Sequence, residues 1–235
     1  MGLWEISLKN FYVHINFGIT SYCNAKCPCC KRTCAPNTFL LNHHMDVEFF
    51  REQIEKNKKF LKSDELIYGC KFCGEAGDPF MHPKLEEFVS IASDAFDEVR
   101  IHTNGGIRTN QWVANLIKNY PKTHIHFGID GTTKELNQMF RVDVNFDRAF
   151  SNMLAGSKID NDRIVWEYIK FEHNRHDWDR ARKIATENKL CLNLRENSST
   201  WEWKYRDLPM WNIKWPLMYI VVFQIQKKVN GVIFR

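Results

Sequence analysis

Four cysteines fall within eight residues, Cys23-Asn-Ala-Lys-Cys27-Pro-Cys29-Cys30, directly after a strand-like stretch. No other feature restricts the fold as much, because Cys23, Cys27 and Cys30 can share one metal centre only if the chain loops around it. On a [4Fe-4S] cluster, this C-x3-C-x2-C spacing would ligate three irons and leave the fourth without a protein ligand. A zinc knuckle or a set of buried, inert thiols are the alternatives.

The composition of the chain indicates its cellular compartment and the classes of partner that it can bind. The 235-residue chain contains eight cysteines, and its N-terminus lacks the basic and then apolar run of a signal peptide. We therefore expect reduced thiols or metal ligands in a cytoplasmic protein. The longest apolar run, 215–223, is shorter than the ~20 residues of a membrane span, so no membrane association is expected. The net charge of +5 is spread along the chain, which does not indicate a nucleic-acid partner.

Six strand-like stretches alternate with stretches of helical periodicity, some of which begin at capping residues such as Asp46 and Thr109 or at Pro83. The predicted strands are 11–17, 65–72, 98–103, 123–129, 163–170 and 190–194. This alternation predicts an α/β fold with a parallel sheet built from βαβ crossovers. Six units are fewer than a closed eight-fold barrel needs, so we predict an open, partial (β/α)6 barrel similar to a TIM barrel.

We predict that the barrel occupies residues 1–195 and that residues 196–235 form an aromatic-rich tail. Four of the eight tryptophans lie in this tail, followed by a β-prone apolar run. A tail that packs on the barrel is the simpler interpretation, and we favour it over a dedicated aromatic binding platform.

Polar motifs follow five of the six predicted strands. They are the cysteine loop, Gly74-Glu75, Thr103-Asn104-Gly105, Asp130-Gly131 and Asn174. Because the C-terminal ends of parallel strands meet at one edge of the sheet, we expect these motifs to form one site.

This order of motifs resembles the radical S-adenosylmethionine (SAM) superfamily over about residues 11–195. The resemblance implies a [4Fe-4S] cluster held by Cys23, Cys27 and Cys30, with SAM bound at the open iron. It also implies reductive cleavage of SAM to a 5′-deoxyadenosyl radical, which abstracts hydrogen from a substrate that the sequence does not identify. The implied partner is an electron donor similar to flavodoxin or ferredoxin, or a chemical reductant. Cys29 stands where the family usually has an aromatic residue.

The resemblance assigns SAM contacts, and no catalytic residue beyond the cluster ligands. The implied SAM-binding residues are Gly74, Glu75, Thr103, Asn104, Asp130 and Asn174. Glu75 would bind the methionine amino group, although Ala76 and Gly77 separate it from the Asp78-Pro79 pair. Asp130 would accept the ribose hydroxyls. Arg141 stands where the family often has an arginine near the methionine carboxylate, although a surface position is the ordinary alternative.

Other interpretations stay open. Cys70 and Cys73 form a C-x2-C pair that, together with Cys27 and Cys30, imitates a zinc ribbon, so a non-catalytic zinc or iron–sulfur scaffold is one alternative. A degenerate radical SAM protein that keeps only the fold and the cluster is another. We expect no auxiliary iron–sulfur cluster, because Cys191 is the single cysteine after the fifth strand. Finally, His124 and His126 alternate along the fourth strand and are expected on a half-buried sheet face.

Overall fold

The computed structural model describes residues 11–28, 30–34, 42–57, 61, 66–73, 77–196, 223–229 and 232–234. Its sheet contains six parallel strands in chain order, and two antiparallel strands extend it at the edge formed by the first strand. The parallel strands are β1 (Phe11–Phe17), β2 (Leu66–Phe72), β3 (Glu98–Thr103), β4 (Thr123–Gly128), β5 (Ile164–Lys170) and β6 (Cys191–Glu196). The antiparallel strands are β7 (Phe223–Val229) and β8 (Val232–Phe234).

The prediction of an open, partial barrel with six parallel strands is confirmed, and each strand bound lies within two residues of the predicted one. The pairing of β7 with β1 is new, because nothing local in the sequence identifies which strand the tail would join. Residues 197–222 lie outside the described part of the chain. The boundary at residue 195 and the packing of the whole tail therefore stay predictions.

Seven helices connect or flank the strands within the described residues. They are α1 (Lys31–Cys34), α2 (Val47–Asn57), α3 (Leu85–Ala95), α4 (Asn110–Asn119), α5 (Lys134–Gln138), α6 (Phe146–Ser157) and α7 (Trp178–Glu187). Asp46 and Thr109 cap α2 and α4 as predicted, since each side chain accepts the backbone N–H three residues later, at 3.0 and 3.2 Å. Pro83 precedes α3, whose N-cap is Lys84, and is not part of its first turn.

The two faces of the parallel sheet differ in chemistry, because alternate side chains of a strand point to opposite sides. One face is apolar and packs against the helices: Phe72 contacts Phe88 of α3, and Trp166 contacts Phe150 of α6, with ring centroids 6.2 and 5.6 Å apart. The other face, which we call the inner face, carries ionisable and amide side chains. Its polar residues include His14, Lys71, Glu98, Arg100, His102, His124, His126, Glu167, Asn193 and Arg195.

In an open barrel the hydrophobic core forms between the sheet and the helices, so polar side chains on the inner face can contact a ligand. The expectation that His124 and His126 lie on a half-buried sheet face is confirmed. Among the helices of the described residues, none combines the length and the apolar character that crossing a membrane requires.

Candidate functional site

The cysteine loop leaves the C-terminal end of β1 and is held from both sides by backbone hydrogen bonds. On one side, Ser21 N donates to His43 O at 2.9 Å. On the other, Asp78 N donates to Tyr22 O at 2.8 Å. Gly77 makes this second approach possible, because a Cβ at that position would lie 2.7 Å from Tyr22 O, closer than real Cβ atoms come to a backbone oxygen.

The carboxylate of Asp78 joins the segment after β2 to the end of β3. Its Oδ1 accepts from Phe80 N at 2.9 Å and from Thr103 Oγ1 at 2.8 Å, and its Oδ2 accepts from Asn104 N at 2.7 Å. Burial raises the pKa of Asp78, and the hydrogen bonds from Asn104 and Thr103 oppose that rise. Asp78 is buried, with 4% of its surface exposed, and its carboxylate holds the segment after β2 against the end of β3.

Asn104 contacts the cysteine loop directly. Its Nδ2 donates to Asn24 Oδ1 at 2.8 Å and lies 3.9 Å from Cys23 Sγ, within range of an N–H···S hydrogen bond. Its Oδ1 accepts from Gly106 N at 2.9 Å, which fixes the orientation of the amide. The Thr103-Asn104 motif and the cysteine loop, which were expected at one edge of the sheet, thus lie in contact.

Arg141 contacts the second cysteine. Its Nε donates to Asp130 Oδ2 at 2.7 Å, and its guanidinium lies near enough to Cys27 for its charge to act on that thiol. Burial alone would lower the pKa of Arg141, but Asp130 and Cys27 outweigh it and raise that pKa. Only 20% of the Arg141 side chain is exposed, so the alternative of a surface position is wrong.

The loop that carries Arg141 also supports the cysteine loop through its backbone. Lys26 N donates to Val142 O at 2.9 Å, and Lys26 Nζ pairs with Asp143 Oδ2 at 2.8 Å on the exposed side. Cys23 thus receives a side-chain hydrogen bond from the end of β3, and Cys27 is influenced by the charge of Arg141 in the loop after α5.

The environment of the thiols suits metal ligation. Burial raises the pKa of Cys23 to about 11, and the charges of Asp78 and Cys27 add to the rise. Burial also raises the pKa of Cys27, while Arg141 partly offsets it. Such thiols ionise at neutral pH only beside a metal, whose charge replaces the lost hydration.

The cysteine ligands of a [4Fe-4S] cluster stand further apart than the ligands of a single ion. Among the described residues, the one group of ligand atoms found close enough for a single ion, within 4.8 Å of one another, does not include Cys23, Cys27 or Cys30. Three thiolates are one ligand fewer than a structural zinc site has, and they are the donor set of a cluster with one open iron.

The zinc-ribbon alternative conflicts with the position of Cys70. This residue lies in β2 on the helix-facing side, has no exposed surface and belongs to the hydrophobic core. Burial raises its pKa well above the ordinary value for a thiol. A zinc ion shared by Cys70 and the cysteine loop would require rebuilding this part of the core.

Asp130 and Asn174 lie in the same region as the site but form internal contacts. Besides Arg141, the Asp130 carboxylate accepts from Ile169 N at 2.8 Å and has no exposed surface. The Asn174 amide donates to the carbonyls of Asp130 and Ile169 and accepts from Phe171 N. In this structure both side chains brace the ends of β4 and β5, and neither presents a polar atom to a ligand.

Sequence reasoning placed the acidic SAM contact at Glu75, which lies with Gly74 outside the described residues. It missed Asp78, whose carboxylate meets Thr103 and Asn104. The available signal was the position of Asp78 directly before Pro79. No local signal existed for the burial of Arg141, because its partners come from the cysteine loop and from the end of β4.

Comparison with known proteins agrees with this geometry. Residues 17–184 match the model of the family described as the Radical SAM superfamily. Over 130 residues, the chain is 25% identical to the antilisterial bacteriocin subtilosin biosynthesis protein AlbA of Bacillus subtilis (strain 168). The alignment covers 55% of this chain and 27% of AlbA.

Solved structures with a similar fold include several proteins of greater length. anSMEcpe with bound AdoMet superimposes with a TM-score of 0.63 at 15% identity, covering 79% of this chain and 51% of that one. Streptococcus suis SuiB bound to the precursor peptide SuiA gives 0.61 at 11% identity, covering 81% and 40%. Methylornithine synthase (PylB) gives 0.54 at 13% identity, covering 91% and 60%. At these identities the likeness shows the fold alone, and the chain spans about half or less of the first two proteins.

Proposed function

Because the chain belongs to the radical SAM superfamily, whose members bind a [4Fe-4S] cluster and SAM, we propose that it modifies a peptide by hydrogen abstraction. Cys23, Cys27 and Cys30 hold the cluster in this proposal. The observation that carries it is the position of Asn104, at the end of β3, beside Cys23, together with the charge of Arg141 acting on Cys27.

The cluster with SAM bound at its open iron supplies, on reduction, a 5′-deoxyadenosyl radical. The residues of this chain position and polarise the cysteines that hold the cluster. Arg141 puts a fixed positive charge beside Cys27, which favours the thiolate over the thiol. Asn104 orients Cys23 through its amide, and Asp78 holds Asn104 in position through the backbone N–H.

The SAM contacts remain part of the proposal. Gly74 and Glu75 follow β2 in the sequence, and in this proposal their backbone carbonyls and the Glu75 carboxylate accept from the methionine ammonium group. Thr103 and Asn104 lie at the C-terminal end of β3, the strand that pairs with β2, and are the next proposed SAM contacts. Asp130 and Asn174 act indirectly, since Asp130 orients Arg141 and Asn174 holds the backbone carbonyl of Asp130.

The proposal of a peptide substrate rests on the relatives. SuiB has been solved with the precursor peptide SuiA, anSMEcpe with the Cp18Cys peptide, and AlbA carries the name of a bacteriocin biosynthesis protein. The polar inner face offers donors and acceptors for an extended backbone. An electron donor similar to flavodoxin or ferredoxin completes the proposed system. We place it in the cytoplasm, where a reducing environment keeps cysteines as the thiols seen at all six described positions.

The test of catalysis uses the full chain reconstituted anaerobically with iron and sulfide, reduced with dithionite and given SAM. We expect 5′-deoxyadenosine from the wild type and at least tenfold less from Cys27→Ala, with a parallel loss of iron. Cys191→Ala is the matched control, because this thiol lies on β6 away from the loop, and it should behave as the wild type. A verified four-iron preparation without product would favour the scaffold or a degenerate protein.

The peptide class is tested separately. A pool of short cysteine-containing peptides and a pool of amino acids and other small metabolites are each added to the active preparation. We expect the peptide pool alone to raise the rate of 5′-deoxyadenosine formation, with a SAM-dependent mass change in a peptide. Stimulation by the small-metabolite pool alone would overturn the peptide assignment and leave the radical chemistry intact.

A further inference from the structure

Two histidines and a glutamate converge on the inner face of the sheet. His102 of β3 and His126 of β4 are register partners, and their rings stack with centroids 4.4 Å apart and planes inclined by 17°. Glu167 of β5 completes the group, with Oε1 2.8 Å from His126 Nδ1. One ligand atom from each of the three side chains lies within 4.8 Å of the other two.

The carboxylate is oriented by groups behind it. Asn193 of β6 donates from Nδ2 to Glu167 Oε2 at 2.8 Å, and Arg195 Nη1 lies 3.7 Å from the same oxygen. Oε2 is thus occupied, and Oε1 faces His126. Such partners, which hold a carboxylate or an imidazole in one orientation, are typical of metal ligands.

We propose that His102, His126 and Glu167 bind one divalent transition-metal ion. Two imidazole nitrogens and one carboxylate oxygen form a donor set that suits Zn²⁺ and Fe²⁺ and leaves at least one coordination position open. Ligand atoms around a tetrahedral zinc ion are about 3.3 Å apart. Here His126 Nδ1 and Glu167 Oε1 are closer, at 2.8 Å, and the ligand atoms all lie within 4.8 Å of one another. Binding therefore requires that pair to open slightly and the two stacked rings to turn until their in-plane lone pairs converge. The metal would replace the proton between His126 Nδ1 and Glu167, and that imidazole would carry its proton on Nε2.

The charges around the group set limits on its affinity. Lys71, Arg100 and Arg195 all act on His102 and oppose a cation, although Arg100 is itself paired with Glu98. Burial lowers the pKa of both His102 and His126, which leaves the neutral imidazoles that ligate metals. We expect weaker binding than at a structural zinc site, because the site carries one carboxylate among several cations.

The site is separate from the cysteine loop and uses no thiol. Glu167 is the register partner of Gly128, the residue over which Arg141 lies, so both sites open onto the same face of the sheet. A metal here would present its open position to whatever occupies the inner face. Zinc content reports this site whether or not the protein cleaves SAM.

The experiment adds Zn²⁺ to the cluster-loaded full chain by equilibrium dialysis and counts zinc and iron per chain by mass spectrometry. We expect about one zinc beyond the iron, and zinc-edge absorption showing nitrogen and oxygen neighbours without sulfur. His126→Ala and Glu167→Gln should each weaken zinc binding at least tenfold while the iron content stays unchanged. His124→Ala is the matched control, since it removes an imidazole from the same strand and the same face two residues away.

His102→Gln serves as a further variant in case His126→Ala folds poorly, and circular dichroism checks the fold of each. Retention of wild-type zinc affinity in folded Glu167→Gln and His102→Gln would overturn the proposal. Equal loss in His124→Ala would also overturn it, because binding would then reflect a histidine-rich surface. Sulfur in the zinc coordination shell would place the metal on the cysteines and likewise exclude the proposed site.

Discussion

The guanidinium of Arg141 occupies the space that a side chain at Gly128 would need. A Cβ built on Gly128 would lie 2.7 Å from Arg141 Nη2 and 3.2 Å from its Cζ. Glycine at this position of β4 therefore seats the arginine against Asp130 and Cys27. The relationship gives a direct test of how the cysteine loop is supported.

Gly128→Ala should push Arg141 away from Asp130 and lower the free energy of unfolding by about 1–3 kcal/mol, the usual cost of overpacking a filled space. The measurement is chemical unfolding of the cluster-free protein. Gly18→Ala is the control, because nothing lies within 4 Å of a Cβ at Gly18. Equal effects of the two substitutions would show that Arg141 adapts without loss.

Asp78→Asn should destabilise the folded protein by about 2 kcal/mol and reduce the iron content after reconstitution. The new amide can keep one oxygen for Phe80 and Thr103, but its NH₂ group then faces the N–H of Asn104, which stays buried without an acceptor. Denaturant unfolding and iron analysis measure the two effects. Asp179→Asn, at an exposed carboxylate on α7, is the control and should change neither the stability nor the iron content. If Asp78→Asn also left both unchanged, the Asp78 carboxylate would not connect the segment after β2 to the end of β3.

The sequence predicted most of the fold because strand alternation and helix caps are local signals. Strand β3 was predicted at its observed bounds, and Asp46 and Thr109 cap the predicted helices. The roles of Asp78 and Arg141 depend instead on three loops that meet only after the sheet has formed. The sequence did not predict that Asp78 and Arg141 are buried, because the partners of both residues lie in other segments of the chain.

Asn104→Asp should make the cluster harder to reduce. The amide that points at Cys23 would become an anion, and a donor 2.8 Å from Asn24 Oδ1 would become an acceptor. Added negative charge and a lost hydrogen bond to sulfur both lower a cluster potential. We expect a shift of about 60 mV to more negative values, equivalent to a tenfold change for a one-electron couple. Redox titration followed by electron paramagnetic resonance measures it, and Asn115→Asp on exposed α4 is the control for added charge.

Acidification should destabilise the fold through His14, which lies on the inner face of β1 near Glu98, Arg100, Lys71 and His126. Burial, reinforced by Arg100, lowers the pKa of His14 to about 4 from an ordinary 6.5. Since the unfolded chain takes up this proton first, the stabilisation is complete above pH 6.5 and is lost as the pH falls toward 4. The full difference corresponds to about 3 kcal/mol.

The measurement is the free energy of unfolding of the cluster-free protein at several pH values between 4 and 7. His14→Gln should show a shallower decline than the wild type across this range. His176→Gln, at an exposed histidine, should follow the wild type. Parallel curves for His14→Gln and the wild type would show that His14 titrates alike in both states.

Substitutions at the adjacent residues Cys29 and Cys30 test which of them is the third cluster ligand. Cys30→Ala should lose the cluster, with iron falling at least tenfold after reconstitution, because two remaining thiolates cannot hold three irons of the cube. Cys29→Tyr should keep it, since an aromatic residue is what the family usually carries at that position. Cys30 N donates to Cys27 O at 3.0 Å, so a tight turn brings Cys30 back toward the loop. Iron analysis and the visible absorption of the cluster measure both variants. Loss in Cys29→Tyr with retention in Cys30→Ala would make Cys29 the ligand and change the register of the loop by one residue.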